Sequence, residues 1–229
     1  MQTILLASNN EHKYVEMTGI FAALDAGVEL LQPKELGFSF DVVEEGLTFA
    51  DNSIAKARGL YSLLNGAAPP GVTASIPPEE IRAIIQHRWP QGPPPVLADD
   101  SGICVHALNN APGVLSARFG SDRPDPPEND GDRNALLLTV LRDQTDRSAH
   151  YVCNAVLILD DERYLQAEAT WHGSILREEI PGDTGFGYDP LVYLDRYETS
   201  VSRIPQAQKD RISHRAQAVT MLARGAGIV

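Results

Sequence analysis

Asp99 and Asp100 stand side by side after the apolar run Val96-Leu97-Ala98 and are followed by Ser101 and Gly102. Read as a strand running into acids, the segment places fixed negative charge at the end of a buried element, where unpaired charge is costly. Carboxylates in that position hold a hard cation such as Mg²⁺, which takes oxygen ligands, or accept a proton in a reaction. By itself Asp-Asp-Ser-Gly is also the composition of an ordinary Asx turn. Its meaning depends on four other segments. Ser8-Asn9-Asn10-Glu11-His12-Lys13 lies between an apolar run and a helical pattern, where free backbone N–H groups and Lys13 favour an anion. Glu44 and Glu45 precede a helix start, and Lys56 falls on that helix's second turn, a pairing suited to a metal and a phosphate. In Thr184-Gly185-Phe186-Gly187-Tyr188-Asp189-Pro190, two glycines flank an aromatic, and Tyr188 and Asp189 follow. Such a loop can stack a planar base and accept a hydrogen bond from its edge. Lys209, His214 and Arg215 bring three basic side chains to the start of the last helix, as donors to a phosphate or to a carbonyl on a base.

The elements that carry these residues follow from periodicity. Residues 4–7 form a short apolar strand, and Tyr14, Met17, Phe21 and Leu24 then recur at helical spacing. Residues 28–31 read as a second strand. Thr48-Phe49-Ala50-Asp51 is a capping-box-like start to a helix carrying Ile54, Ala57, Tyr61 and Leu64. The amino half is therefore α/β. Prolines at 69, 70, 77, 78, 90, 93, 94 and 95 mark 66–95 as a surface excursion enclosing one helical candidate, 79–89. Residues 121–132 read as loop and 134–142 as helix, with Leu137, Val140 and Leu141 apolar. The stretches 151–159 and 164–171, parted by Asp160-Asp161-Glu162-Arg163, read as an antiparallel hairpin, which makes the sheet mixed. A closing helix starts near Ser213 and ends at Gly225 as its C′ residue. Each chemical segment is thereby placed where a strand or loop hands over to a helix.

Composition bounds the function. The chain has 229 residues, 43% hydrophobic and 22% charged, enough to bury a substantial core in one domain spanning 1–229. Its formal charge of −12 argues against a nucleic-acid polymer as partner, because such binding rests on lysine and arginine neutralising phosphates. An anionic small molecule fits if basic residues cluster locally or a metal intervenes. No glycine-rich P-loop pattern occurs, so a Walker-type ATPase is not indicated. The first residues have no basic leader and only a short apolar run, which predicts neither a signal peptide nor a membrane span. Cys104 and Cys153 sit in apolar, strand-like settings and read as reduced core residues of a cytoplasmic protein.

Together, LASNNEHK, EEGLTFADNSIAKA, LADDSGICVHALNNAPGVLSARFG, TGFGYDP and SHRAQA resemble one family, the inosine triphosphate pyrophosphatases, in order and along most of the chain. The resemblance implies an α/β fold: an elongated, twisted mixed β-sheet with flanking helices and two lobes around a central cleft. It also implies a homodimer, and Mg²⁺-dependent hydrolysis of ITP, dITP or XTP to the monophosphate and pyrophosphate. In such a family Asp100 matches the general base, and Asp99, Asp100 and Glu44 the metal acids. Ser8 to Lys13 and Lys56 match triphosphate contacts, Ser101 a substrate contact, and Phe186, Gly187, Tyr188, Asp189, Lys209, His214 and Arg215 the base pocket. Donors from His214 and Arg215 would favour the carbonyl at C6 of hypoxanthine and xanthine over the amino group of adenine.

The pattern departs from the family's in places. Asp51 stands where glutamate is common, Ser53 where alanine is, and Glu45 where threonine is frequent, which leaves the metal ligand open between Glu44 and Glu45. The 66–95 excursion is longer than the usual connection. A Maf-like pyrophosphatase for modified pyrimidine triphosphates is an alternative, against which the SHR and FGYD segments count. A purine-nucleotide-binding regulator without turnover is another, and the intact acids and Lys56 count against it.

Overall fold

A mixed sheet of seven strands, in the order β2-β1-β5-β6-β7-β8-β9, runs the length of the molecule. The computed structural model describes residues 2–229. β1 (Gln2–Leu6) lies parallel to both β2 (Val28–Leu31) and β5 (Val96–Val105). From β5 onward each neighbour is antiparallel: β6 (Ser148–Ile158), β7 (Tyr164–Ile175), β8 (Val192–Leu194) and β9 (Thr199–Ser200). A second small sheet pairs β3 (Phe40–Val42) with β4 (Val72–Ala74).

Alternation along β5 and β6 distributes side chains between two faces. On one face Leu97, Cys153 and Ala155 pack with Met17 and Ile20 of α1 (Glu11–Ala23) and with Val219 and Leu222 of α6 (His214–Gly225). On the other, Val96, Ala98, Val156 and Ile158 meet Leu60, Leu63 and Leu64 of α2 (Phe49–Leu64) and Ile81 and Ile85 of α3 (Pro78–Arg88). A third core surrounds the far end, joining Ile103, Tyr151, Trp171 and Val192 to Leu137 of α4 (Asp130–Val140). The first two cores make one lobe and the third makes the other. The remaining helix, α5 (Gln206–Ile212), leads into α6.

The sheet opens where β1 ends. β1 and β5 are in register only at Leu5↔Val96 and Leu6↔Leu97, flanked by bonds from Leu5 N–H to Pro95 O at 2.9 Å and from Ala7 N–H to Leu97 O at 2.7 Å. Past Leu97, β5 keeps β6 as its ladder partner, and residues 8–10 turn away into α1.

Several expectations are revised. The Asp99-Asp100 pair ends no strand: it lies inside the ten-residue β5, opposite Ala155 and Asn154, because hydrogen bonding to β6 outweighs the turn propensity of Asp, Ser and Gly. The 66–95 stretch is not only a surface excursion. β4 pairs with β3, and α3 inserts Ile81 and Ile85 fully into the core, where each buried isoleucine contributes about 1.5–3 kcal/mol. α4 starts at Asp130, earlier than the apolar pattern suggests, because Asn129 caps it, and Val140 is exposed. At the carboxyl end Gly225 stays helical, and Gly227 adopts the left-handed conformation.

Candidate active site

Asp99 and Asp100 diverge because neighbours in a strand face opposite ways. Asp100 faces α2, where Asn52 Nδ2 donates to its Oδ2 at 3.0 Å and Lys56 Nζ to its Oδ1 at 3.0 Å. Asn52 and Lys56 are four apart on α2 and so share a face. Lys56 also reaches Glu44 Oε2 at 3.3 Å, so one ammonium joins the two acids. Burial lowers the Lys56 pKa, but Asp100, Asp99 and Glu44 together outweigh it and hold the value above the ordinary one. Asn52 Oδ1 accepts from Gly46 N–H at 2.9 Å, which anchors the Glu44 loop to the same helix. The other end of that loop is pinned by Val43 N–H donating to Gly71 O at 2.9 Å, beside β4.

The departures from the family pattern have structural outcomes here. Asp51 still closes the capping box with Thr48, its Oδ2 accepting from Thr48 N–H at 3.1 Å. Ser53 Oγ donates to buried Asn154 Oδ1 at 2.7 Å, tying α2 to β6. Glu45 is exposed at the cleft edge, and Glu44 is the acid that meets Lys56.

Asp99 faces the other way, towards α1 and α6. Lys13 Nζ lies 3.1 Å from its Oδ1, and Arg215 Nε donates to its Oδ2 at 3.2 Å. Burial pushes the Asp99 carboxyl up, yet Lys13, Arg215 and Lys56 prevail and hold it well below the usual carboxylate range. The charges continue away from it in alternation. Arg215 pairs with Glu16, Glu16 with Lys209, and Lys209 Nζ donates to Asp189 Oδ2 at 2.7 Å. Asp189 also accepts from Tyr151 Oη at 2.8 Å and from Phe186 N–H at 3.0 Å. This buried chain of ion pairs leads from the opening in the sheet to the Phe186 loop.

One cleft of about 840 Å³ collects most of the candidate residues, within the range of small-molecule sites. Ser8, Asn9, Asn10, Lys13, Glu44, Lys56, Asp100 and Ser101 line one part. There Asn10 caps α1, its Oδ1 accepting from Lys13 N–H at 3.2 Å, and Asn9 Nδ2 donates to Phe40 O at 2.7 Å. Phe186, Gly187, Tyr188, Asp189, Lys209, His214 and Arg215 line another. His12 belongs with this second group: its ring stacks on Phe186 with centroids 5.0 Å apart and planes 16° from parallel. His214 stacks on Tyr151 at 4.7 Å, and its buried Nδ1 has no hydrogen-bond partner. Burial, then the charges of Arg215 and Lys209, keep that imidazole neutral far below its ordinary pKa.

Two candidates stand apart from the cleft lining. Glu11 pairs with Lys34 on the exposed side of α1, and Asp99 is enclosed by its cations. The donors that fit Mg²⁺ are Glu44 and Asp100, hard oxygens facing one cavity, since Mg²⁺ binds through one or two carboxylates plus substrate phosphates and water. Among the described residues no group of three or more His, Cys, Asp or Glu side chains is placed to hold a metal alone. Sequence reasoning missed Glu16 and Asn52. Glu16 interrupts the apolar face of α1 next to Met17, and Asn52 precedes Lys56 by one helical turn, so each left a faint signal in its spacing.

Fold and cleft define a small-molecule enzyme-like site, with acids and lysines at one side and aromatics and buried donors at the other. The Ham1 family pattern matches residues 4–224. A dITP/XTP pyrophosphatase of Ralstonia nicotianae is 37% identical over 224 residues, covering 97% of this chain and 95% of its own. One from Chromobacterium violaceum is 38% identical, covering 96% and 94%. Among solved structures, a HAM1 protein from Coxiella burnetii superposes over the whole of both chains with a TM-score of 0.72 and 31% identity. This chain belongs to the Ham1 family, and the resemblance read from its motifs is borne out.

Proposed function

We propose that this protein hydrolyses non-standard purine nucleoside triphosphates, dITP, ITP and XTP, to the nucleoside monophosphate and pyrophosphate. The names of its relatives support the substrate class. The observation that carries the reading is Asp100, turned into the cleft and held through one oxygen by Lys56 and through the other by Asn52. A carboxylate so oriented accepts the proton of a water attacking the α-phosphorus as the bond to the bridging oxygen breaks and pyrophosphate leaves. Lys56, with the amino end of α1 and Lys13, offsets the charge of the phosphates. Mg²⁺ on Glu44 and Asp100 would supply further neutralisation of the triphosphate.

Base selection follows from which groups are already committed. Asp189 and Glu16 accept from Lys209, Tyr151 and Arg215, so the buried carboxylates near Phe186 have existing donors. Arg215 Nη2 is bonded to Ser101 Oγ at 2.7 Å, and a guanidinium has further N–H groups to offer. Donors near Arg215 and His214 suit a base carbonyl, and an amino group on adenine or guanine finds no free carboxylate. On this reading GTP is disfavoured along with ATP, a discrimination the sequence left open. Asp99 acts in this scheme by holding Lys13 and Arg215 rather than by binding metal. The reading also includes a single domain, threaded by the shared strands β5 and β6, and a cytoplasmic homodimer. Among the described residues no helix is long and apolar enough to cross a membrane.

The test is product identity after incubation with Mg²⁺ and, separately, ITP, XTP, GTP, ATP and dTTP. Monophosphate and pyrophosphate from ITP and XTP alone are expected. Orthophosphate release, or preference for dTTP, would overturn the bond cleaved or the base pocket.

A further inference from the structure

We propose that Asp130 and Asn134, on the first turns of α4, clamp the Phe186 loop and thereby set how tightly the cleft holds its base; the inference rests on the function proposed above. Both bonds fall on one residue of the loop. Gly187 N–H donates to Asp130 Oδ2 at 2.9 Å, and Asn134 Nδ2 donates to Gly187 O at 3.1 Å. Asp130 and Asn134 are four apart and share a helix face, so the two bonds grip Gly187 from one rigid surface. A carboxylate in a helix's first turn is favoured by the free N–H groups there, and Arg133 pairs with the other oxygen of Asp130, which fixes the carboxylate's direction.

The loop needs such a clamp. Gly185 and Gly187 have φ of +87° and +62°, left-handed values that glycine adopts freely but does not enforce. Between these glycines, Phe186 is tied to Asp189 through its own N–H, and Tyr188 Oη donates to Ser116 O at 2.8 Å. Without Asp130 the glycine on the carboxyl side of Phe186 is held by Asn134 alone, and binding must then restore part of an order that the clamp now provides in advance. Asp100 belongs to a separate hydrogen-bond group on α2, so proton acceptance proceeds unchanged once substrate is bound.

Steady-state kinetics with ITP and Mg²⁺ test this on the full chain. Asp130→Ala is expected to raise KM about tenfold, the worth of one hydrogen bond, with kcat within about twofold. Asp130→Asn keeps an oxygen acceptor for Gly187 and recovers most of the loss. Asp132→Ala removes the carboxylate that accepts from Glu128 N–H and Asn129 Nδ2 at the start of the same helix, without touching Gly187, and leaves KM unchanged although it lowers Tm. Asn134→Ala, which removes the donor to Gly187 O, raises KM as Asp130→Ala does. An unchanged KM in Asp130→Ala, or an equal rise in Asp132→Ala, overturns the clamp. Amide hydrogen exchange separates this inference from the function: Gly187 exchanges faster in Asp130→Ala than in Asp132→Ala whatever the substrate proves to be. Equal exchange overturns the clamp, whereas a wild-type protein inert towards ITP with the exchange difference intact overturns only the function.

Discussion

Asp99 and Asp100 are neighbours in one strand whose carboxylates face opposite sides of the sheet, Asp99 towards Arg215 and Lys13, Asp100 towards Asn52 and Lys56. The division gives each acid a different set of partners, and the proposed function a different task for each. Asp100→Asn keeps an oxygen for Lys56 but cannot accept a proton, so turnover of ITP falls at least about a hundredfold. Circular dichroism should stay close to wild type, with Tm lowered modestly because the new amide N–H₂ faces the donor Asn52 Nδ2. Retained turnover would remove Asp100 from the role of base.

For Asp99 the prediction concerns stability and its dependence on pH. Its folded pKa lies below the unfolded value of about 3.9, so its contribution is complete above that pH and is lost as pH falls through the depressed folded value. Glu16, also depressed by Arg215 and Lys209 against the opposing effect of burial, adds to the same acid limb. Asp99→Asn leaves Arg215 and Lys13 short of a counter-charge and costs about 3–5 kcal/mol near neutral pH. Urea unfolding followed from about pH 6 to about pH 3 then gives a shallower fall than in wild type. Equal slopes would show that Asp99 does not titrate with folding.

Arg215 is held by Glu16, Asp99 and Ser101, and its guanidinium carbon lies 5.8 Å from the centre of the Phe186 ring. Arg215→Ala is expected to narrow the ratio of kcat/KM for ITP over ATP by about tenfold or more, since one buried hydrogen bond discriminates by that order. Glu16→Gln, which leaves Arg215 in place but unpaired on one side, is expected to narrow it less. An unchanged ratio in Arg215→Ala would remove it from base selection.

The segment 66–95 supplies a stability test far from chemistry. Ile85 is 1% exposed, and Ile85→Ala costs about 2–5 kcal/mol through lost burial and the cavity left behind. The kcat measured well below the midpoint should hold. A surface excursion would instead tolerate the change with little loss in Tm.

Much of the site was legible in the chain. Ser8 to Lys13, Lys56, Asp100 and the Phe186 loop announce themselves as polar groups set against apolar periodicity, and apart from Glu11 they meet in one cleft. Glu11 departs because it begins α1 on the exposed side, a difference of 100° per residue that motif reading ignores. Asp99 departs because alternation in a strand is as strict as helical phase, and the strand was expected to stop before it. The charge chain from Lys13 to Asp189 was invisible as a unit, since its members come from α1, β5, α5, α6 and the Phe186 loop.

By itself the sequence determined the alternation of strand and helix at the amino end, the long hairpin, the family and the chemical types that line the cleft, because periodicity and local turn chemistry act over a few residues. Tertiary structure alone decided that β5 continues through the acids, which face each one takes, that α3 enters the core, and that Asn52, Glu16 and Asp130 bond to Asp100, Arg215 and Gly187. Those outcomes depend on pairing with β6, 54 residues away at Asp100↔Asn154, and on burial of charge among partners distant in the chain. Neither is written in any short stretch of residues, because the energy of a buried ion pair or a ladder bond belongs to both of its ends.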